Sequence, residues 1–187
     1  MEKKLNSMRC LDSLGIRYEP QYFPATLLSA PEVAKHLGVA ASQVYKTLVL
    51  VLPTQKPILV MVAGDRDIHL KHLAQCLGEK RLRMATQKDA EAWTGLQVGG
   101  IAALALQHKH FPTYLDQAAA FLERLFVSAG QRGVDLCLSV ADLLRATRAT
   151  FVEATVPAST EPAAGMTAQA CKLPASLDSC RGLGTRA

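Results

Sequence analysis

Val44-Tyr45-Lys46-Thr47-Leu48-Val49-Leu50-Val51-Leu52 decides how the rest of this chain is read. Six of its nine residues are Val or Leu, and the run ends at Pro53. Apolar, β-branched runs of this length form buried strands. Side chains alternate along a strand, so Lys46 shares a face with Leu48, Leu50 and Leu52, while Tyr45, Thr47, Val49 and Val51 share the other. An ammonium on an apolar face is costly, and such a group gives up its proton or meets an anionic ligand. Alternatively it stands at the strand end, extends its tip to water and has no further role. The local pattern leaves both readings open.

Outward from this run, residues 53–56 read as a turn and Pro57 to Ala63 as a second apolar strand, which predicts an antiparallel hairpin in the middle of a sheet. Upstream, apolar spacing predicts helices over 2–14, closed by Gly15, and over 31–37, closed by Gly38, with an extended segment over 16–23 between them. Ser42 is a candidate cap for the turn entering the Lys46 strand. Downstream, Asp67 is the expected cap of a helix over 68–77, and Thr86 that of a helix over 86–93. Strands are expected at 80–84, 112–116, 124–128, 134–139 and 149–154, with a glycine hairpin at 129–133 and a helix from Ser139 or Val140 to Arg148. From Pro157 onward, a stretch rich in Ala, Ser, Thr, Pro and Gly shows no sustained period. The expected organisation is one domain over residues 1–155 followed by a flexible tail over 156–187, with no internal repeat.

With 187 residues, of which 49% are hydrophobic, the chain suits a single core. No apolar run is long enough to span a bilayer, and no apolar leader follows Met1-Glu2-Lys3-Lys4, so a cytoplasmic protein without membrane partners is expected. The five cysteines are scattered and form no C-x-x-C pair, which points to reduced thiols. His69 with His72, and His108 with His110, are possible ligand pairs, but no Cys or acidic partner completes a familiar spacing, and no metal or other cofactor is expected. The net charge of +5 is spread along the chain, so a nucleic-acid surface would have to be assembled by folding. A solvated basic face fits the same charges.

Three segments in order, Gln43-Val44-Tyr45-Lys46-Thr47-Leu48, Val98-Gly99-Gly100-Ile101 and Val127-Ser128-Ala129-Gly130-Gln131-Arg132-Gly133-Val134-Asp135, together resemble the YbaK/prolyl-tRNA-synthetase-insertion family of bacterial aminoacyl-tRNA deacylases. The resemblance implies a single-domain α+β fold, a mixed and mostly antiparallel sheet curled around a helix with flanking helices. It also implies a pocket that hydrolyses an amino acid wrongly attached to tRNA. In that family the motif lysine, here Lys46, holds the substrate end near the scissile ester, and Thr47 follows it. The glycine loop, here Gly99 and Gly100, supplies backbone contacts to the carbonyl. Ser128 and Asp135 match the residues that shape the pocket, and Tyr22, or Phe23 one residue on, matches an aromatic at its entrance.

The implied substrate partner is aminoacyl-tRNA, with an aminoacyl-tRNA synthetase such as prolyl-tRNA synthetase as a further partner. One departure is visible: the family's loop reads G-x-x-x-P, whereas Ala103 stands where the proline is expected. Loss of a fixed φ predicts a looser loop and keeps a second function in view, a catalytically weakened tRNA- or synthetase-binding module. The chemistry also stands on the residues: an aminoacyl ester is already activated and needs orientation, N–H donors for its oxyanion and a nucleophile such as water. No Ser-His-Asp order or nucleophilic Cys stands out, in keeping with a reaction that forms no covalent intermediate.

Overall fold

The computed structural model describes residues 4–157. In chain order the regular elements are α1 (Asn6–Ser13), β1 (Glu19–Tyr22), α2 (Ala30–Leu37), β2 (Val44–Val51), β3 (Pro57–Ala63), β4 (Arg66–Ile68) and α3 (Leu70–Cys76). They continue with β5 (Arg83–Met84), α4 (Gln87–Thr94), β6 (Thr113–Asp116), β7 (Arg124–Gln131), β8 (Val134–Ser139), α5 (Val140–Thr147), β9 (Thr150–Val152) and β10 (Thr155–Pro157). The main sheet runs β1-β8-β7-β2-β3-β6-β9, with β5 also on β2, and β10 pairs with β4 in a small second sheet. The β1–β8, β8–β7, β2–β3 and β2–β5 pairings are antiparallel, while β7–β2, β3–β6 and β6–β9 are parallel, giving the expected mixed α+β sheet.

The Lys46 run is the central strand, and Tyr45 to Val51 pair in register with Ala63 back to Pro57. Its two faces bury different cores. Tyr45 and Val49, with Leu59 and Met61, pack against α1, α5 and the segment 101–106. Leu48 and Leu50, with Val60 and Val62, pack against α3. On the Tyr45 face of the sheet lies a 3₁₀ segment, Ala103–Lys109, whose Ala103, Leu104, Ala105 and Leu106 are all buried. No period announces it, because Ile101 to Leu106 is apolar at every position and every side of the segment is covered. Its alanines allow a close approach: a Cβ on Gly130 of β7 would stand 2.9 Å from that of Ala105.

Two expected caps are placed differently. Asp67 lies in β4 opposite Val156, and His69 caps α3, its Nδ1 accepting the N–H of His72 at 3.0 Å. An unprotonated imidazole nitrogen accepts this bond as a carboxylate would. Ser42 sits inside a 3₁₀ turn, Ala41–Gln43, whose N-cap position is Ala40. Thr86, Ser29 and Ser139 cap α4, α2 and α5 through their hydroxyls, and α2 carries a full capping box with Glu32. Val156 and Pro157 belong to β10, so the expected boundary after residue 155 cuts a strand, and the rest of the expected tail lies outside the described residues. Among the described residues no helix is long and apolar enough to cross a membrane.

The seam between α2 and the sheet is tight at Gly64, whose N–H donates to the carbonyls of Ala41 and Val44. A Cβ there would meet the Ala30 Cβ at 2.7 Å and the Ala41 carbonyl at 3.0 Å. Gly64→Ala is expected to lower the unfolding free energy by about 1–3 kcal/mol in chemical denaturation, because α2 must shift to admit the methyl group.

Candidate active site

The parallel pairing of β2 with β7 sets Val44 opposite Phe126 and Tyr45 opposite Val127, and one residue further it sets Lys46 beside Ser128. Ser128 lies opposite Asp135 in β8, and Asp135 lies opposite Gln21 in β1. Lys46, Ser128, Asp135 and Gln21 therefore form a row of cross-strand neighbours on one face of the sheet. Val44 and Phe126 share that face and pack with Val33 and Ala34 of α2 and with Phe23 and Leu27, which wall one side of the row. Lys46 is half-buried, and among the described residues its ammonium has no hydrogen bond or ion pair. The lysine thus sits within the sheet rather than at a frayed end, beside polar groups of two neighbouring strands.

Asp135 is 7% exposed, and burial pushes its carboxyl up from the ordinary 3.8 to about 7. It accepts no hydrogen bond from the described residues. Near neutral pH it exchanges between an acceptor and a proton-bearing donor, and a cation brought against it would draw off the proton. Arg132, a natural candidate to pair with it, turns elsewhere: its Nε donates to the Val98 carbonyl at 2.8 Å. The Ser128 hydroxyl accepts the N–H of Gly130 at 3.4 Å, which supports the β-bulge where the β7–β8 register shifts between Ser128 and Gln131.

The glycine loop lies on the tip of the same hairpin. A Cβ on Gly100 would stand 2.9 Å from the Arg132 nitrogen and 3.0 Å from the Gln131 carbonyl carbon, so only glycine permits this contact. Gly99 takes a φ of +90°, and a Cβ there would meet Arg132 at 3.3 Å and Leu28 at 3.4 Å. Two charged residues clamp Val98 between them: Glu91 accepts its N–H at 3.0 Å, and Arg132 holds its carbonyl. The Val98 N–H, followed by the Gln87 amide, holds the Glu91 carboxyl below its ordinary range. The Gly100 N–H donates to Gln97 at 2.9 Å within the turn, whereas that of Gly99 meets no acceptor among the described residues. Of the two expected donors, Gly99 is the one with an N–H to offer. Three residues of strand, no more than about 10 Å, separate Ser128 from the hairpin tip beneath it.

Two expected site residues stand apart from the row. Thr47 points to the opposite face, into the core, where its Oγ1 is buried without a partner among the described residues. Tyr22 lies opposite Val134, also on the other face, and is 55% exposed. Phe23, the alternative aromatic, packs with Val44 and Phe126 on the Lys46 side. Gln21, Glu91 and Arg132 were not singled out as site residues from sequence; Arg132 was visible between the two hairpin glycines, whereas the other two are defined only by the register and the loop packing.

Two clefts lie elsewhere. One of about 190 Å³ is bordered by Val51, Leu52, Arg81 and Arg83, some five residues and roughly 16 Å along β2 from Lys46. Another, of about 310 Å³, runs beside α1 and includes Arg9 and His108. Neither includes Lys46. The row has the unpaired cation, the titrating carboxyl and the glycine amide, so chemistry rather than volume selects it. Metal-ligating side chains converge away from it, at His72, Cys76 and Glu153.

The sequence model of the aminoacyl-tRNA editing domain matches residues 25–146, a span that holds Lys46, the glycine loop, Ser128 and Asp135. The chain belongs to the aminoacyl-tRNA editing domain family. Within that family it is 35% identical over 156 residues to EbsC of Enterococcus faecalis, named as a candidate Cys-tRNA(Pro)/Cys-tRNA(Cys) deacylase, covering 82% of this chain and 94% of that one. A 68-residue stretch is 41% identical to part of a proline--tRNA ligase of Nitratidesulfovibrio vulgaris, covering 36% of this chain and 12% of the ligase. The fold matches the crystal structure of a candidate trans-editing enzyme for prolyl tRNA synthetase with a TM-score of 0.71 at 23% identity, covering 81% of this chain and 95% of that one.

For this editing domain the raised Asp135 carboxyl gives a signed expectation. The folded state binds the proton more tightly than the unfolded chain, so stability falls as pH rises from about 4 to about 7 and is level above that. Asp135→Asn should remove this decline, leaving the variant on the order of a few kcal/mol more stable than the parent at pH 8 and equal to it near pH 4 in chemical denaturation.

Proposed function

We propose that this protein is a free-standing trans-editing deacylase that hydrolyses the ester of a mischarged aminoacyl-tRNA and releases a small amino acid. Water adds to the ester carbonyl carbon, the carbonyl oxygen takes the negative charge of the tetrahedral intermediate, and the terminal ribose hydroxyl of the tRNA leaves with a proton. Lys46 holds the substrate end and opposes the charge that develops at the ester. The Gly99 N–H donates to the oxyanion, with Gly100 bringing the loop onto the hairpin. Asp135 accepts from the amino group of the amino acid, and that cation in turn favours its ionised form. Ser128 and Phe23 shape the pocket around the side chain, and Tyr22 and Thr47 act at most through the strands that carry them. The single observation that carries this reading is the half-buried, unpaired Lys46 in one row with Ser128 and Asp135.

The name of the Enterococcus relative supports cysteine as the amino acid released. A row walled by α2, Phe23 and Leu27 suits a small side chain, although discrimination by size goes only in steps of roughly 1–3 kcal/mol per methylene. Likeness to part of a proline--tRNA ligase supports that synthetase as a further partner beside the tRNA. We place the reaction in the cytoplasm, in a domain that runs through β10 to Pro157 and not only to residue 155.

The weakened binding module loses its main support once Ala103 is located. Ala103 is the first residue of the 3₁₀ segment, a position suited to proline, and Ala102 before it has the extended φ of −134° and ψ of 124° that a following proline would require. The backbone keeps the conformation without the ring, and Glu91 and Arg132 hold the loop on its other side.

Purified protein should release amino acid from Cys-tRNA(Pro) faster than from correctly charged Pro-tRNA(Pro), in a panel that includes alanyl- and seryl-tRNA. Lys46→Ala should lower the single-turnover rate by about 10²-fold or more, the order seen when an oxyanion-stabilising group is lost. Full release by the variant would remove the proposed role, and tight tRNA binding without release across the panel would select the binding module.

A further inference from the structure

We propose that His72, Cys76 and Glu153 form a binding site for a divalent transition metal of the zinc type, at a distance from the editing site. His72 and Cys76 are four residues apart on α3 and so project from one face of the helix, and Glu153 reaches them from the link between β9 and β10. The ligand atoms lie within 4.8 Å of one another. The His72 Nε2 is 3.2 Å from the Glu153 Oε2 and 3.6 Å from the Cys76 Sγ. A tetrahedral zinc ion, bound at about 2.0–2.1 Å by nitrogen and oxygen and at about 2.3 Å by sulfur, sets its N and O ligands about 3.3 Å apart and its N and S ligands about 3.6 Å apart. The two edges that share His72 already have these lengths.

The donors are also held by the fold on both sides. His69 fixes the first turn of α3 by accepting the His72 N–H, and its own N–H donates to the Ala154 carbonyl at 2.8 Å. The Ala154 N–H donates to Asp116, which is 2% exposed and also accepts the Thr155 hydroxyl. Glu153 is therefore set against α3 by backbone bonds to its neighbour, independently of its own exposed side chain. Thiolate, imidazole and carboxylate together suit zinc or cobalt and not magnesium or calcium, which take oxygen ligands. Binding converts the Cys76 thiol to a thiolate with release of its proton to solvent, and three protein ligands leave one position for water. The ion would strap α3 to the segment that carries β10. Sequence spacing alone could not close this set, since Glu153 is 81 residues from His72.

The test uses the full chain, stripped of metal, titrated with Co(II) and, in competition with a chromophoric chelator, with Zn(II). The expected result is one equivalent bound, with a thiolate-to-cobalt charge-transfer band in the near ultraviolet and a higher thermal midpoint on adding Zn(II). Cys76→Ser and His72→Ala should each remove the band and weaken Zn(II) at least about tenfold, since even outer-shell partners are worth about 10–100-fold. Circular dichroism of the metal-free variants checks their fold, and Glu153→Gln should weaken Zn(II) without disturbing either helical residue. Cys171→Ser/Cys180→Ser should leave binding intact. Absence of the band in the parent, its survival in Cys76→Ser or His72→Ala, or its loss in the Cys171/Cys180 variant would each overturn the site.

Discussion

The parallel pairing of β2 with β7 is the constraint on which the site depends. Val44 opposite Phe126 and Tyr45 opposite Val127 fix which residue of β7 stands beside Lys46. A slip of β2 by one residue would turn Lys46 into the core that now holds Tyr45 and Val49 and leave Ser128 on the face it now occupies. That slip is strongly opposed, because both faces of β2 are buried and the residues on each differ in size. The apolar side chains of the central strand therefore do more than fill the interior: they hold the one cation of β2 in line with a hydroxyl and a carboxyl from two other strands.

A second constraint joins the glycine loop to this row. The loop meets the β7–β8 hairpin where Gly100 lies on the backbone of Gln131 and Arg132, and it is pinned through Val98 by Glu91 and Arg132. The hairpin that carries Arg132 also carries Ser128 and Asp135, so one element positions both the loop and two members of the row. The bulge at Ser128 to Gln131 belongs to the same device: the hydroxyl of Ser128 supports it, and Gly130 within it approaches the 3₁₀ segment that begins just after the loop. Such a framework suits chemistry in which the protein orients an already activated ester.

Much of this was legible from residue order. The apolar run around Lys46, the hairpin with Pro57 to Ala63, the cap at Thr86 and the start of a helix at Ser139 or Val140 follow from alternation and residue type, and the structure keeps them. The 3₁₀ segment was not legible, since a stretch buried on every side carries no period. Nor was the cap at His69, because a carboxylate two residues earlier is the more usual acceptor and only the pairing of Asp67 with Val156 shows that it is committed to a strand. At the site, Lys46, the glycines, Ser128 and Asp135 were identified by their resemblance to the editing family. Their assembly was not, because it rests on a parallel register between strands some eighty residues apart. The β1–β8 pairing and the packing of Phe23 separate Phe23 from Tyr22, and alternation along β2 separates Lys46 from Thr47, distinctions of one residue.

The central claim is that an aminoacylated 3′ end lodges between Lys46 and the Gly99 amide. It is tested most directly by a crystal structure with a non-hydrolysable, amide-linked cysteinyl-adenosine analogue. The account predicts the analogue's carbonyl oxygen within hydrogen-bonding distance of the Gly99 N–H, its amino group at Asp135 and the Lys46 ammonium on the linkage. An analogue seated instead in the cleft by Arg81 and Arg83, with Lys46 untouched, would contradict it.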